Sequence, residues 1–337
     1  MIIVTKPGIT EDQIQHIVDR IKEWGLKAEV SRGAVRVVIG IIGPEDTIRE
    51  KPLAAIAGVE SVTPVLKPYK LVAREFRGTN SLVKVGDVEF GARDVIFMSG
   101  PCSVENRDQI VGIARAVKKA GAKVLRGGAF KPRTSPYTFQ GLGVEGLKLL
   151  AEARAETGLP VITEIMDTKD LEVIEKYADC LQVGARNMQN FALLKEVGRS
   201  KLPVMLKRGM SATIKDLLMS AEYILNEGNF NVLLCERGIR TFETYTRNTL
   251  DLNAVPVLKA ETHLPVVVDP THGVGLHAFI PAMALAAVAA GADAIMVEVH
   301  TSPELAKSDG EQALLPEEFG DLVKRLKAVA EAVGRSS

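Results

Sequence analysis

Cysteine is scarce in this chain, with three in 337 residues, at Cys102, Cys180 and Cys235. An odd, widely spaced set excludes a disulfide framework and fits a reducing compartment, so a cytoplasmic location is expected. Net charge is missing as well. The 42 basic residues balance 42 acidic ones, which excludes a nucleic-acid partner recognised through bulk charge but leaves room for a local basic pocket. No apolar run reaches the roughly 20 residues that span a bilayer, so no membrane partner is expected. The nearest approach, "IPAMALAAVAAGADAIMVEV" from Ile280, is split by Gly291 and Asp293 into a helix and a strand. The opening "MIIVTKPG" lacks the charged segment and apolar core of a secretory signal.

What is present falls into two rhythms. Residues 1–67 read as a strand "MIIVTK", then a helix "TEDQIQHIVDRIKEWG" with Thr10 as N-cap and Gly25 as stop. Two strands around Arg32-Gly33 follow, then a short helix from about Ile48 to Ala57 and a strand "VESVTPVL". That order, βαββαβ, is the ferredoxin-like split βαβ unit. From Val95 onward, short apolar runs alternate with amphipathic helices: "VIFMSG", "AKVLRGG", "LPVITEI", "CLQVGA", "LPVMLKRG", "NVLLCERG", "LPVVVDPTH" and "AIMVEVH". Near-continuous apolar strands imply a parallel sheet covered on both faces. Eight of them in about 240 residues predict an α/β fold of the (β/α)₈ TIM-barrel type over residues 95–337. An open doubly wound sheet is the alternative, but no GxGxxG follows the first of these strands. Residues 68–94 are expected to form a linker and a hairpin that caps the barrel bottom.

A parallel barrel carries its chemistry at the C-terminal ends of its strands. Those ends read Cys102, Arg126, Glu164, Ala185 with Arg186, Lys207 with Arg208, Glu236 with Arg237, Asp269 with His272, and Glu298 with His300. A neutral protein has thus aligned cations after its second, fourth, fifth and sixth barrel strands, which points to a pocket for phosphate or carboxylate. Cys102, His272 and Glu298 follow strands that become neighbours when the barrel closes, and Asp309 in "AKSDG" can swing in as a fourth ligand. One thiolate, one imidazole and two carboxylates suit one divalent metal ion, Mn²⁺, Fe²⁺, Co²⁺ or Zn²⁺, better than Mg²⁺. Cys180 and Cys235 lie inside strands and are expected to be buried packing residues. The loop "RGGAFKPRTSPYTFQG", residues 126–141, adds Lys131, Arg133, Thr134 and Ser135 on a proline-stiffened frame.

The stretches "GPCSVE", "LRGGAFKPRTSPYTFQG", "GARNMQNF", "LKRG", "CERGIRTFETYTRNTLD", "DPTH" and "EVHTSPELAKSDG" run through the whole barrel. Together they resemble 3-deoxy-D-arabino-heptulosonate 7-phosphate (DAHP) synthases of the short type, which bear an N-terminal ferredoxin-like, ACT-like regulatory domain. The resemblance implies an aldol-like condensation of phosphoenolpyruvate with erythrose 4-phosphate, the first step of the shikimate pathway. It implies Arg126, Lys131, Arg186, Lys207, Arg237 and the backbone of Ala185 for phosphoenolpyruvate, with Glu164 nearby. It assigns Arg133, Thr134 and Ser135 to the second phosphosugar, and in that reaction Lys131 is placed to donate a proton to the developing alkoxide. The metal on Cys102, His272, Glu298 and Asp309 would polarise the aldehyde. A homotetramer and feedback inhibition by tyrosine or phenylalanine are also implied. The sister enzymes that take arabinose 5-phosphate to 3-deoxy-octulosonate 8-phosphate carry "KANRSS" where this chain has "KPRTS". Departures from the family pattern are "GVGLHAFI" after "DPTH", with His277 and Ala278 where relatives are more basic, Thr301 for a common Pro and Lys307 for a common Leu. A Schiff-base aldolase using Lys207, and an amino-acid sensor with a silent barrel, are the rival readings.

Overall fold

A computed structural model describes residues 1–337 apart from 34, 44–47, 49–50, 64–66 and 133–134. The chain divides into two compact units, one of Met1–Ser81 with Ala260–His263 and one of Leu82–Lys259 with Leu264–Ser337.

The first unit contains β1 (Ile2–Thr5), α1 (Glu11–Glu23), β2 (Lys27–Arg32), β3 (Val37–Ile42) and β4 (Val59–Thr63). Its sheet runs β2-β3-β1-β4 with every pair antiparallel, the order a βαββαβ chain gives. α1 starts where Thr10 accepts from the Gln13 N–H and Gln13 accepts back from the Thr10 N–H, a capping box. Ile14, Ile17, Val18 and Ile21 of α1 pack on Ile3, Ile39 and Ile41 of the sheet. Each such burial contributes about 1.5–3 kcal/mol. Of the short helix expected from about Ile48 to Ala57, Ile48 is helical and buried, residues 49–50 lie outside the described residues, and Leu53–Ala55 form a 3₁₀ turn. Pro52 directly before that turn has no N–H to extend a helix. Further along, His263 is clasped between Ser81 Oγ at 2.7 Å and the Leu71 carbonyl at 2.8 Å.

The second unit opens with a hairpin, β5 (Val83–Val85) and β6 (Val88–Phe90). Among the described residues eight parallel strands then close into a barrel: β7 (Ile96–Gly100), β8 (Val124–Arg126), β9 (Val161–Ile165), β10 (Cys180–Val183), β11 (Val204–Lys207), β12 (Val232–Glu236), β13 (Val266–Val268) and β14 (Ala294–Glu298). β14 pairs back onto β7, with Glu298 opposite Gly100. Helices such as α2 (Arg107–Ala120), α3 (Val144–Thr157) and α4 (Ile214–Asn226) follow strands. α2 is capped by Asn106 and stopped by Gly121, which takes a left-handed φ of 110°.

Strand alternation sorts the barrel interior into floors. Met98, Val124, Ile162, Cys180, Met205, Cys235, Val267 and Met296 form one apolar cluster with Val83, Val85 and Phe90 of the hairpin. Cys180 and Cys235 are the buried packing residues expected of them. The hairpin seals the end where strands begin: a Cβ on its turn residue Gly86 would press within 2.8 Å of Pro160, just before β9. Two positions further along β8 to β14, on the same inward face, stand Arg126, Glu164, Gln182, Lys207, Arg237, Asp269 and Glu298. A charged floor therefore lies directly above an apolar one. Among the described residues no helix is long and apolar enough to cross a membrane.

Candidate active site

The coordinating atoms of Cys102, His272, Glu298 and Asp309 all lie within 4.8 Å of one another. Glu298 ends β14, while His272 sits in a short helix, Pro270–Val274, capped by Asp269. Asp309 reaches the cluster from a loop where it holds a left-handed backbone, φ 51°, which Asp tolerates better than most residues. Cys102 Sγ is 3.1 Å from both Asp309 Oδ2 and Ser308 Oγ, and the Lys131 ammonium donates to it at 3.0 Å.

These four residues fit a divalent cation. His272 donates through Nδ1 to Asp269 Oδ2 at 2.7 Å, which turns Nε2 toward the cluster as a lone pair. That Nε2 lies 3.1 Å from Glu298 Oε1. Burial pushes the His272 pKa down, despite the Asp269 and Glu298 charges, so the imidazole is neutral and two lone pairs face each other. A cation between them removes that conflict. Burial, then the Glu298 charge, pushes the Cys102 thiol up to about 11, and Lys131 and Arg126 oppose them. Burial alone would raise Asp309, but the Arg247 charge, the Cys102 hydrogen bond and the Lys131 charge hold it below its ordinary value, so it is a carboxylate. Such a set of soft and hard donors suits a transition-metal ion.

Beside the quartet lies a cavity of about 310 Å³. Arg126, Lys131, Arg186, Lys207, Arg237 and Arg247 line it, and the carboxylates on its wall are Glu164 and Asp309. Arg126 is bound to Glu298 at 2.8 Å, and Lys207 to Asp269 at 2.7 Å. Among the described residues, Arg237 donates only to the backbone carbonyls of His272 and Gly238. Glu164 accepts from Gln182 at 3.0 Å, and Gly184 leaves it room, since a Cβ there would come within 2.0 Å of Glu164 Oε1. Burial raises Asp269 on its own, yet His272 and Lys207 hold it well below the usual carboxylate range.

Of the residues expected at the site, Ser135, Ala185, Arg186, Lys207, Arg237, Glu164, Arg126 and Lys131 line this cavity with His272 and Asp309. Arg133 and Thr134 lie outside the described residues. Arg208, which shares a strand end with Lys207, points away. It pairs with Glu236 at 2.8 Å and Asp251 at 2.9 Å. His300 contacts Gln109 and the Ser302 N–H rather than the quartet. Residues unforeseen from the sequence are Gln182, Thr138 and Arg247. Gln182 was findable, because it lies two positions beyond Cys180 on the inward face of β10.

The profile of the DAHP synthetase I family matches residues 74–334, and that of the DAHP synthase ferredoxin-like domain matches residues 1–67. A phospho-2-dehydro-3-deoxyheptonate aldolase of Thermotoga maritima is 49% identical over 334 residues, spanning 99% of each chain. The crystal structure of a Thermotoga maritima protein of that name, DAHP synthase, superposes with a TM-score of 0.79 at 48% identity, covering 99% of this chain and 98% of that one. A 2-dehydro-3-deoxyphosphooctonate aldolase of Syntrophobacter fumaroxidans is more distant, 33% identical over 70% of this chain and 87% of its own. The chain belongs to the DAHP synthetase I family.

Proposed function

We propose that this chain condenses phosphoenolpyruvate with erythrose 4-phosphate to give DAHP and inorganic phosphate, opening the shikimate pathway. The observation that carries the proposal is one cavity that joins a Cys/His/Glu/Asp quartet to a wall of six cations. Two substrates that bring two phosphates and a carboxylate need such a wall.

Arg126, Arg186, Lys207 and Arg237, with the backbone of Ala185, hold the carboxylate and phosphate of phosphoenolpyruvate. Arg133, Thr134 and Ser135 hold the phosphate of erythrose 4-phosphate. When bound on Cys102, His272, Glu298 and Asp309, one Mn²⁺, Fe²⁺, Co²⁺ or Zn²⁺ ion supplies Lewis acidity to the aldehyde. C3 of the enol forms the new bond to the aldehyde carbon, and Lys131 donates a proton to the aldehyde oxygen. Water adds at C2 and yields its proton to Glu164. The C2–O bond then breaks, phosphate leaves, and the C2 hydroxyl loses its proton to give the ketone. Lys207 is committed to Asp269 at 2.7 Å, an arrangement for gripping an anion rather than for Schiff-base attack.

Residues 1–67 act as a regulatory unit that binds tyrosine or phenylalanine, residues 68–94 as linker and hairpin, and residues 95–337 as the catalytic barrel of a cytoplasmic homotetramer. The match of residues 1–67 to a ferredoxin-like domain profile supports this division. The deciding experiment measures loss of phosphoenolpyruvate in metal-reconstituted protein with erythrose 4-phosphate and with arabinose 5-phosphate. Turnover with the four-carbon acceptor, abolished by a chelator, is expected. Faster turnover with the five-carbon acceptor would refute the proposal, and a borohydride-trapped adduct on Lys207 would favour the aldolase.

A further inference from the structure

The catalytic cavity shares Ala185 and Arg186 with two smaller chambers. The nearer, of about 110 Å³, is lined by Arg186, Arg237, Arg240 and Arg247 together with Asn248 and Met210. The outer, of about 240 Å³, keeps Arg186 and Arg240 and adds Gln189 and the Ser211 hydroxyl among small and apolar residues. Among the described residues no carboxylate lines either chamber.

Arg240 has no part in the reaction described above. Its side chain, like that of Arg186, has no hydrogen-bond or ion-pair partner among the described residues. Its backbone is nevertheless fixed. The Arg240 N–H donates to the Met210 carbonyl at 2.7 Å. On either side, Ile239 and Thr249 exchange N–H···O bonds of 3.0 and 2.9 Å, and the Thr241 and Thr249 hydroxyls meet at 2.6 Å. The loop thus presents a guanidinium toward three others at a defined place. Like charges gathered round a small volume repel one another, and a bound dianion offsets that cost. A tetrahedral phosphate accepts bidentate bonds from more than one guanidinium at once.

We propose that Arg240, with Arg186, forms a second phosphate-dianion position outside the reacting one, through which inorganic phosphate departs after the C2–O bond breaks. The inference rests on the function proposed above only for the source of the phosphate. No further bond changes in this step: the dianion passes from Arg186 and Arg237 to Arg186 and Arg240, then to solvent. The phosphate end of a sugar phosphate has the same chemistry, so the source has to be separated by experiment.

The test titrates inorganic phosphate into metal-loaded protein saturated with phosphoenolpyruvate and without acceptor, following phosphate by ³¹P NMR and calorimetry. Phosphate is expected to bind while phosphoenolpyruvate stays bound. In Arg240→Ala that binding should weaken roughly tenfold, the scale of one charge-assisted contact, while phosphoenolpyruvate affinity changes less than about twofold on the same reasoning. Arg240→Lys should recover part of the loss, because a point charge replaces a fork. Mutual exclusion of phosphate and phosphoenolpyruvate would overturn the proposal, as would equal weakening of both in Arg240→Ala. A second titration adds erythrose 4-phosphate to the phosphate-loaded protein without phosphoenolpyruvate. Displacement of phosphate from the Arg240-dependent position would assign it to the sugar and overturn the exit role. None of these readouts requires turnover, so failure of the reaction assay and failure of this inference are separate results.

Discussion

Asp269 organises more of the site than any residue that faces the cavity. Its Oδ2 takes both the Lys207 ammonium and the His272 Nδ1–H at 2.7 Å, and its Oδ1 caps the His272 N–H at 3.0 Å. One carboxylate thereby fixes an imidazole's tautomer and a cation's position. Asp269→Asn keeps the shape but loses the charge, and it should weaken metal binding by about 10–100-fold, measured by competition with a chromophoric chelator. Cys102→Ala should lose most of the bound metal and most activity while the melting transition survives; full turnover would remove Cys102 from the ligand set. Gly184→Ala tests space rather than charge. The added methyl meets Glu164 Oε1 at 2.0 Å, so the carboxylate must move. A misplacement of about 1 Å at a reacting group costs on the order of 10²-fold in kcat, and steady-state kinetics beside a thermal melt will separate that loss from unfolding.

At the scale of elements, strand parity explains what could be read in advance. The eight barrel strands were legible because each is a short apolar run with a charged end, and only one end of a parallel barrel carries chemistry. Sequence proximity left Lys207 beside Arg208 and Glu236 beside Arg237. The period of two separates them, with Lys207 and Arg237 inward and Arg208 and Glu236 paired at 2.8 Å away from the cavity. Arg247 escaped notice because it lies in the long loop after β12, where no periodicity reports which way a side chain turns. The tie between the Cys102 and Asp309 loops was likewise invisible. Glu105 Oε1 accepts from the Lys307 N–H at 2.8 Å and from Ser103 Oγ at 3.3 Å, joining segments about 200 positions apart in a way only folding creates. Glu105→Gln should weaken metal binding several-fold with little change in melting temperature, because the loops stay attached but less firmly.

His263 gives the first unit a pH response. Burial pushes its pKa down to about 4, against some support from the Leu71 carbonyl. The unfolded chain binds a proton near the ordinary value of about 6.5, so between there and 4 the unfolded state holds more protons. The neutral ring's contribution is complete above about pH 6.5 and is lost as pH falls toward 4, a change of about 3 kcal/mol. Thermal melts from pH 7 to 4 should show this slope, and His263→Gln should flatten it.

For the molecule as a whole, the two units predict separable work. Removing residues 1–67 should leave condensation intact and abolish inhibition by tyrosine or phenylalanine. Inhibition that persists in the shortened protein would move the effector site into the barrel. The barrel has its own anchors: Arg335 near the C-terminus donates to the carbonyls of Arg93, Ala92 and Ala292 and to buried Asp293. Arg335→Ala leaves that buried carboxylate with only Lys259 and the Val266 N–H among the described residues and should destabilise the protein by about 2–4 kcal/mol, read from denaturant unfolding.

The hairpin plug of Val83, Val85 and Phe90 has a kinetic consequence. A vessel closed at its base has a single rim, so every molecule that comes or goes must pass the same lip. Whatever settles deepest has to arrive first, and the later guest traps it there. Strict order of addition, with the three-carbon acid ahead of the aldehyde, is therefore expected as a matter of plumbing rather than of affinity, and product-inhibition patterns will check it.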